Sequence, residues 1–297
     1  MNLLDCIGNT PYIPLKRLSA YFGLSGCIYA KLEMQNPFGS IKDRAAYEMV
    51  KAAEIHHSFN PDSILLEATS GNMGIALSGI AALKGYHSSI IMPENMPKPR
   101  QRIISAFGSQ LLLTPDTEGM SGARNMAEKL VRSDSRFFYM DQFKNPSNVL
   151  AHELYTGPEL LKNSEGKMDC LVLGVGTGAT LTGCARYLKQ NIPSLKVMAV
   201  EPAASSVLQG QTHGSHTIFG IGAGFFPPLL DLSLIDQVVS VYDEDAYETR
   251  ELLSKLEGIN AGPSSGAALH AAFQAAQSNA AKFDHITVIL ADSGERY

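Results

Sequence analysis

Three short segments of this chain carry side chains that could do chemistry together. The first is Asn36-Pro37-Phe38-Gly39-Ser40-Ile41-Lys42-Asp43-Arg44. Asn-Pro-Phe-Gly reads as a turn, and Ser40 followed by Asp43 reads as a helix N-cap pair. Ile41, Ala45 and Met49 continue an apolar helical stripe up to His56 and His57. Lys42 therefore falls in the first turn of a helix, where the dipole disfavours a cation by about 0.3–1 kcal/mol. A lysine pushed toward its neutral amine is the kind that forms Schiff bases. From this segment alone, an ordinary exposed lysine is the simpler reading.

The second segment is Glu67-Ala68-Thr69-Ser70-Gly71-Asn72-Met73-Gly74, joining a strand directly to a helix. Hydroxyls, an amide and backbone N–H groups at a helix start can hold a carboxylate, although simple capping by Ser70 or Asn72 uses the same residues. The third is Gly174-Val175-Gly176-Thr177-Gly178-Ala179-Thr180-Leu181-Thr182-Gly183, which follows a strand and opens a helix. Its glycines let N–H groups close on a phosphate. Gly174-x-Gly176-x-x-Ala179 also fits the dinucleotide fingerprint, and Glu201 ends the next strand where a ribose-binding acid would lie. An NAD-dependent dehydrogenase is thus a rival reading. It leaves Lys42 and Thr69–Met73 unexplained, and it places the fingerprint late in the chain. A lysine amine, a carboxylate nest and a single-phosphate cradle together describe a pyridoxal 5'-phosphate site for an amino-acid substrate. The loop Ala261-Gly262-Pro263-Ser264-Ser265-Gly266, turning into a helix, could supply a partner for the pyridine nitrogen or merely an N-cap.

These segments need rigid elements behind them. Strands are expected at Ile64–Ala68, Ser88–Met92, Gln110–Leu113, Phe137–Met140, Cys170–Leu173, Val197–Val200, Gln237–Val241 and Ile286–Leu290. Helices alternate with them at Asn72–Lys84, Pro97–Phe107, Gly119–Val131, Ala179–Lys189, Asp243–Leu256 and Ser265–Gln277. This rhythm implies α/β architecture: two domains, each a mostly parallel twisted sheet flanked by helices, with ligands at strand C-terminal ends in a cleft. Glu201–Asp231 loses periodicity and reads as a long functional loop. Arg100 and Arg102 read as a solvated helix face, with anion contact as the alternative.

With 45% hydrophobic and 18% charged residues, the 297-residue chain is globular. A net charge of −5 without any Lys/Arg block argues against a nucleic-acid partner. Cys6, Cys27, Cys170 and Cys184 are too scattered for a metal site or disulfide framework, so no metal is expected. Nothing resembles a signal peptide or a membrane span, which makes the cytoplasm the expected location.

In combination, these motifs resemble the cysteine synthase (O-acetylserine sulfhydrylase) family of pyridoxal phosphate-dependent β-replacement enzymes, which includes cystathionine β-synthase. The resemblance runs from Ile7-Gly8-Asn9-Thr10-Pro11 to Ser293-Gly294-Glu295-Arg296-Tyr297 and takes in Glu118-Gly119-Met120 and Gly220-Ile221-Gly222-Ala223-Gly224-Phe225. It implies the tryptophan synthase β-like fold, called fold type II. It implies a smaller mobile domain at 37–144 and a larger one at 1–36 and 145–297. Lys42 matches the Schiff-base lysine, which also removes the substrate α-proton. Asn72 matches the contact to the cofactor ring hydroxyl. Gly176, Thr177, Gly178, Ala179 and Thr180 match the phosphate loop, and Ser264 the partner of the pyridine nitrogen. Thr69, Ser70 and Gln142 match contacts to the substrate carboxylate. Met73 stands where many members have a threonine making that contact, and a thioether donates no hydrogen bond.

The implied reaction forms L-cysteine from O-acetyl-L-serine and sulfide through an aminoacrylate. The same chemistry on O-phosphoserine or serine, giving cystathionine or diaminopropionate, is the alternative. A non-catalytic relative that binds a partner's C-terminal peptide is a third reading, disfavoured because Lys42, the phosphate loop and Ser264 are intact. The resemblance further implies a homodimer and docking of a serine acetyltransferase C-terminal tail.

Overall fold

The computed structural model describes residues 2–24, 26–56, 59–278 and 283–297. Along the chain the elements are β1 (Tyr12–Pro14), α1 (Lys16–Tyr21), β2 (Cys27–Leu32), α2 (Lys42–His56), β3 (Ile64–Ala68), α3 (Asn72–Lys84), β4 (His87–Pro93) and α4 (Lys98–Ala106). There follow β5 (Gln110–Thr114), α5 (Gly119–Ser133), β6 (Phe137–Tyr139), α6 (Pro146–Ala151), α7 (Gly157–Asn163), β7 (Cys170–Gly174) and α8 (Ala179–Asn191). The last are β8 (Lys196–Pro202), β9 (Gln237–Val241), α9 (Asp243–Glu257), α10 (Pro263–Gln277) and β10 (His285–Leu290). The helix opened by Lys42 closes at His56; the expected end at His57 lies outside the described residues.

Contacts divide the chain into two compact units. One comprises Met1–Ile7, Asn36–Asn148 and Arg296; the other comprises Gly8–Gln35, Val149–Glu295 and Tyr297. These limits depart from the expected 37–144 and 1–36 with 145–297 at identifiable residues. Leu4 is buried among Phe38, Met49 and Leu77 of the first unit. Asn148 donates to the Gln142 carbonyl, and Arg296 donates to Asn72.

The first unit holds a four-stranded, all-parallel sheet in the order β5-β4-β3-β6. Sheets of this kind are covered on both faces, so their strands read as continuous apolar runs. In β4, every residue after His87 is buried. Leu65, Ile90 and Met92 pack with the apolar faces of α2 and α3, while Leu66, Ala68 and Ile91 pack with Ala123 and Ala127 of α5. α3 stops at Gly85, whose left-handed backbone (φ 75°) lets its N–H return to the carbonyls of Ala81 and Ala82.

The second unit holds a six-stranded sheet in the order β1-β2-β10-β7-β8-β9, parallel except for β1 against β2. Its core joins Ile28, Val172, Val200 and Val288 to Leu269 and Phe273 of α10. Two stretches here escape the sequence pattern: β1-α1-β2, and the helices of residues 146–163. In β2, Lys31 is wholly buried. Its Nζ lies 2.8 Å from Glu159 Oε2 and donates to the Thr10 carbonyl at 2.8 Å and to Asn163 Oδ1 at 3.0 Å. Removing one partner of such a pair strands a charge in the interior. Glu159→Ala is expected to cost about 3–5 kcal/mol in urea unfolding, and Lys31→Met clearly less, because methionine removes the buried charge itself.

Candidate active site

In the first unit, Lys42 is the first residue of α2 and is half-buried. The turn before it is closed by side chains. Ser40 Oγ accepts the Lys42 N–H at 3.2 Å, and the Asp43 carboxylate accepts the Phe38 N–H at 2.6 Å and the Ser40 hydroxyl at 3.3 Å. This departs from a reciprocal capping box, since Asp43 reaches back to Phe38 N–H. Arg296 donates to the Phe38 carbonyl and, at 2.6 Å, to Asn72 Oδ1. One guanidinium thus ties the lysine turn to the start of α3 and fixes the Asn72 amide with its oxygen toward Arg296.

The segment from Thr69 to Met73 forms the expected strand-to-helix turn. Thr69 N–H continues the sheet ladder to the Ile91 carbonyl at 2.9 Å, and Thr69 Oγ1 accepts the Gly71 N–H at 3.2 Å. Asn72 and Met73 open α3, where first-turn N–H groups lack intrahelical acceptors. The Met73 side chain is 1% exposed and packs in the apolar cluster of this unit. It is therefore the Met73 backbone, and not the thioether, that the turn presents. Gln142 follows β6, its Nε2 3.3 Å from Glu67 Oε1 and its carbonyl accepting from Asn148. The expected solvated face of α4 holds for Arg102, which is exposed, but not for Arg100. Arg100 is 2% exposed and donates to the Ser70 carbonyl at 3.0 Å. Sequence reasoning missed this support, as it missed Arg296 and Glu67, because each acts on a residue distant in the chain.

In the second unit, β7 runs into the glycine-rich loop and α8. A Cβ on Gly176 would lie 2.5 Å from the Gly220 carbonyl oxygen, and one on Gly178 (φ 80°) would lie 2.6 Å from Leu230 Cβ. The loop is thus backed by the irregular segment 201–231. Gly222 N–H bonds to the Val175 carbonyl, and Thr182 Oγ1 donates to the Leu229 carbonyl while accepting the Asp231 N–H. Thr177 Oγ1 accepts the Ala179 N–H at 3.4 Å. Thr180 Oγ1 lies 3.2 Å from Nε2 of the buried His152, which stands in a π turn (His152–Thr156) and reaches Thr156 Oγ1 at 3.0 Å. Ser264, 7% exposed, is the second residue of α10. Its Oγ would stand 3.6 Å from a Cβ on Gly220, so the Gly220 turn lies beside both the Gly176 loop and Ser264.

Glu201 decides against the dinucleotide reading. Its carboxylate accepts the N–H of Leu208 at 2.8 Å and of Gln209 at 3.2 Å, capping a short 3₁₀ turn (Val207–Gln209). An acid so engaged is not presented to a ribose. Among the described residues no group of three His, Cys, Asp or Glu could hold a metal ion, and no helix is long and apolar enough to cross a membrane.

Two units, each a wholly or mostly parallel sheet flanked by helices, have the α/β architecture of fold type II enzymes, and comparison with known proteins agrees. Residues 3–292 match the pyridoxal-phosphate dependent enzyme family, and the chain belongs to it. It is 42% identical over its full 297 residues to a cysteine synthase of Staphylococcus aureus (strain Mu50 / ATCC 700699), covering 94% of that relative. Among solved structures, it resembles the cysteine synthase (OASS) of Entamoeba histolytica with a TM-score of 0.95 and 37% identity, covering all of this chain and 88% of that one. It also resembles a hydrogen sulfide-producing enzyme of Fusobacterium nucleatum with a TM-score of 0.94 and 38% identity, covering 100% and 99% of the two chains.

Proposed function

We propose that the protein forms L-cysteine from O-acetyl-L-serine and sulfide, releasing acetate. The observation that carries this reading is that Lys42, Asn72, Ala179 and Ser264 each stand in the first turn of a helix. Such positions present backbone N–H groups and positive dipole ends to anionic ligand groups.

Pyridoxal phosphate supplies an electron sink for the substrate Cα when bound. The donors around Gly176 suit its phosphate: N–H groups at the start of α8, the hydroxyls of Thr177 and Thr180, and a glycine where a Cβ would collide. In this reading Asn72, its oxygen engaged by Arg296, offers its amide N–H to the ring hydroxyl. Ser264 meets the pyridine nitrogen. A hydroxyl does not hold that nitrogen protonated as a carboxylate would, which favours loss of a β-substituent over transamination. Thr69, Ser70, the Met73 N–H and Gln142 bind the substrate carboxylate. Lys42 holds the cofactor and then takes the α-proton at its Nζ. Acetate leaves Cβ, sulfide adds there, and the proton returns to Cα. The reading also includes a homodimer in the cytoplasm, docking of a serine acetyltransferase tail, and a mobile smaller domain at 37–144.

The test is direct. Purified protein is expected to be yellow, and borohydride to fix the cofactor on the peptide carrying Lys42. O-acetylserine, O-phosphoserine and serine, each supplied with sulfide, are then assayed for cysteine. Turnover of O-phosphoserine or serine with O-acetylserine inert replaces the first substrate. A colourless protein that binds NAD overturns the whole reading.

A further inference from the structure

Glu67 is a buried carboxyl group in the last residues of β3, two residues before Thr69, and is 1% exposed. Its Oε1 accepts from Gln142 Nε2 at 3.3 Å, while its Oε2 is buried without a hydrogen-bond partner. The loop that it meets is held at several points. Met140 N–H bonds to the Leu66 carbonyl, Asp141 adopts a left-handed backbone (φ 45°), and Asn148 holds the Gln142 carbonyl at 2.8 Å. The backbone of Gln142 is therefore fixed, and Glu67 is what fixes its amide. An amide nitrogen carries two hydrogens.

We propose that Glu67 is the positioning residue for Gln142, taking one amide hydrogen so that the other is aimed at the substrate carboxylate. This rests on the reading of Gln142 as a carboxylate contact. A second consequence concerns charge. Burial first, and Asp141 next, push the Glu67 pKa well above the usual carboxylate range. Tyr139 is also close enough to interact with Glu67, and Arg124 and Glu128 of α5 act in turn on Tyr139. α3 brings no charged side chain before Lys84, and α4 brings Arg100 to the Ser70 carbonyl. Burial thus favours the neutral form of Glu67. Once ionised, it sets a negative charge beside the nest for an anionic substrate.

The pH dependence has a definite sign. A carboxyl group with a raised pKa in the folded state keeps its proton while the unfolded chain loses it. The stability that it contributes is complete below the unfolded value and is lost as pH rises through the folded one. The same rise in pH weakens carboxylate binding.

The test uses the holoprotein with L-alanine, an amino acid without a leaving group, read through the absorbance of the bound cofactor. Glu67→Leu is expected to weaken L-alanine about tenfold, the worth of one hydrogen bond. Glu67→Gln keeps a neutral acceptor for Gln142. It is expected to bind as the wild type does at low pH and progressively tighter than the wild type as pH rises, and its melting temperature should lose the decline that the wild type shows as pH rises. The ratio of the two proteins cancels titration of the amino acid itself. Glu67→Leu binding as tightly as wild type, or a Glu67→Gln ratio that stays flat with pH, overturns the proposal; should Glu67→Leu fail to fold, the ratio decides alone. A wild type that binds no amino-acid carboxylate overturns the functional reading along with it.

Discussion

Lys42→Ala is expected to lower cysteine formation by at least about a thousandfold, the scale of a lost general base, and in addition to remove the covalent hold on the cofactor. The variant should fold. Lys42 is half-buried at the head of α2, and the turn before it is closed by Ser40, Asp43 and Arg296, none of which uses the ammonium group in the bonds described. Two measurements separate chemistry from folding. Circular dichroism should match the wild type, while dialysis should strip the yellow colour that the wild type retains. Borohydride should then leave no cofactor on the protein. If Lys42→Ala keeps the covalent cofactor or substantial turnover, the lysine has been assigned wrongly.

Gly176→Ala should be the next most damaging single change. The new Cβ would lie 2.5 Å from the Gly220 carbonyl oxygen, a backbone atom that has no side-chain rotation to relieve the clash. Overpacking of this kind costs about 1–3 kcal/mol, roughly 5- to 150-fold in a binding constant if it falls on the bound state. Because the Gly220 turn also lies beside Ser264, relief by moving that turn would reach Ser264 as well. The cofactor dissociation constant should therefore rise far more than the melting temperature of the cofactor-free protein falls. Equal cofactor affinity in variant and wild type would show that the loop does not cradle the phosphate.

The parallel strands were legible because burial on both faces leaves nearly unbroken apolar runs, as in Ile64–Ala68 and Cys170–Gly174. The helix starts were legible because caps and glycines are local signals. What stayed hidden depends on distant partners. β2 contains a lysine that looks solvent-bound until Glu159 is brought against it. The π turn His152–Thr156 leads straight into α7, which carries Pro158 in its first turn. The family motifs marked Asn72 and Gln142, but Arg296 and Glu67, which orient them, are distant in sequence. Met73 looked like a changed ligand contact because residue type alone cannot say that a side chain is packed into the core.

The strand order of the larger sheet sets a timetable. β2 pairs on one side with β1, its near neighbour, and on the other with β10, Ile28 meeting Ile286. During synthesis the four strands of the first unit are complete once Tyr139 has left the ribosome. The β1–β2 ribbon must wait with one edge open until β10 has been made, and β7, β8 and β9 wait beside it without their link to β2. Unpaired parallel edges are where nascent chains associate wrongly. The second unit is thus the half of this protein whose sheet is completed last, although it contains the chain's earliest strands.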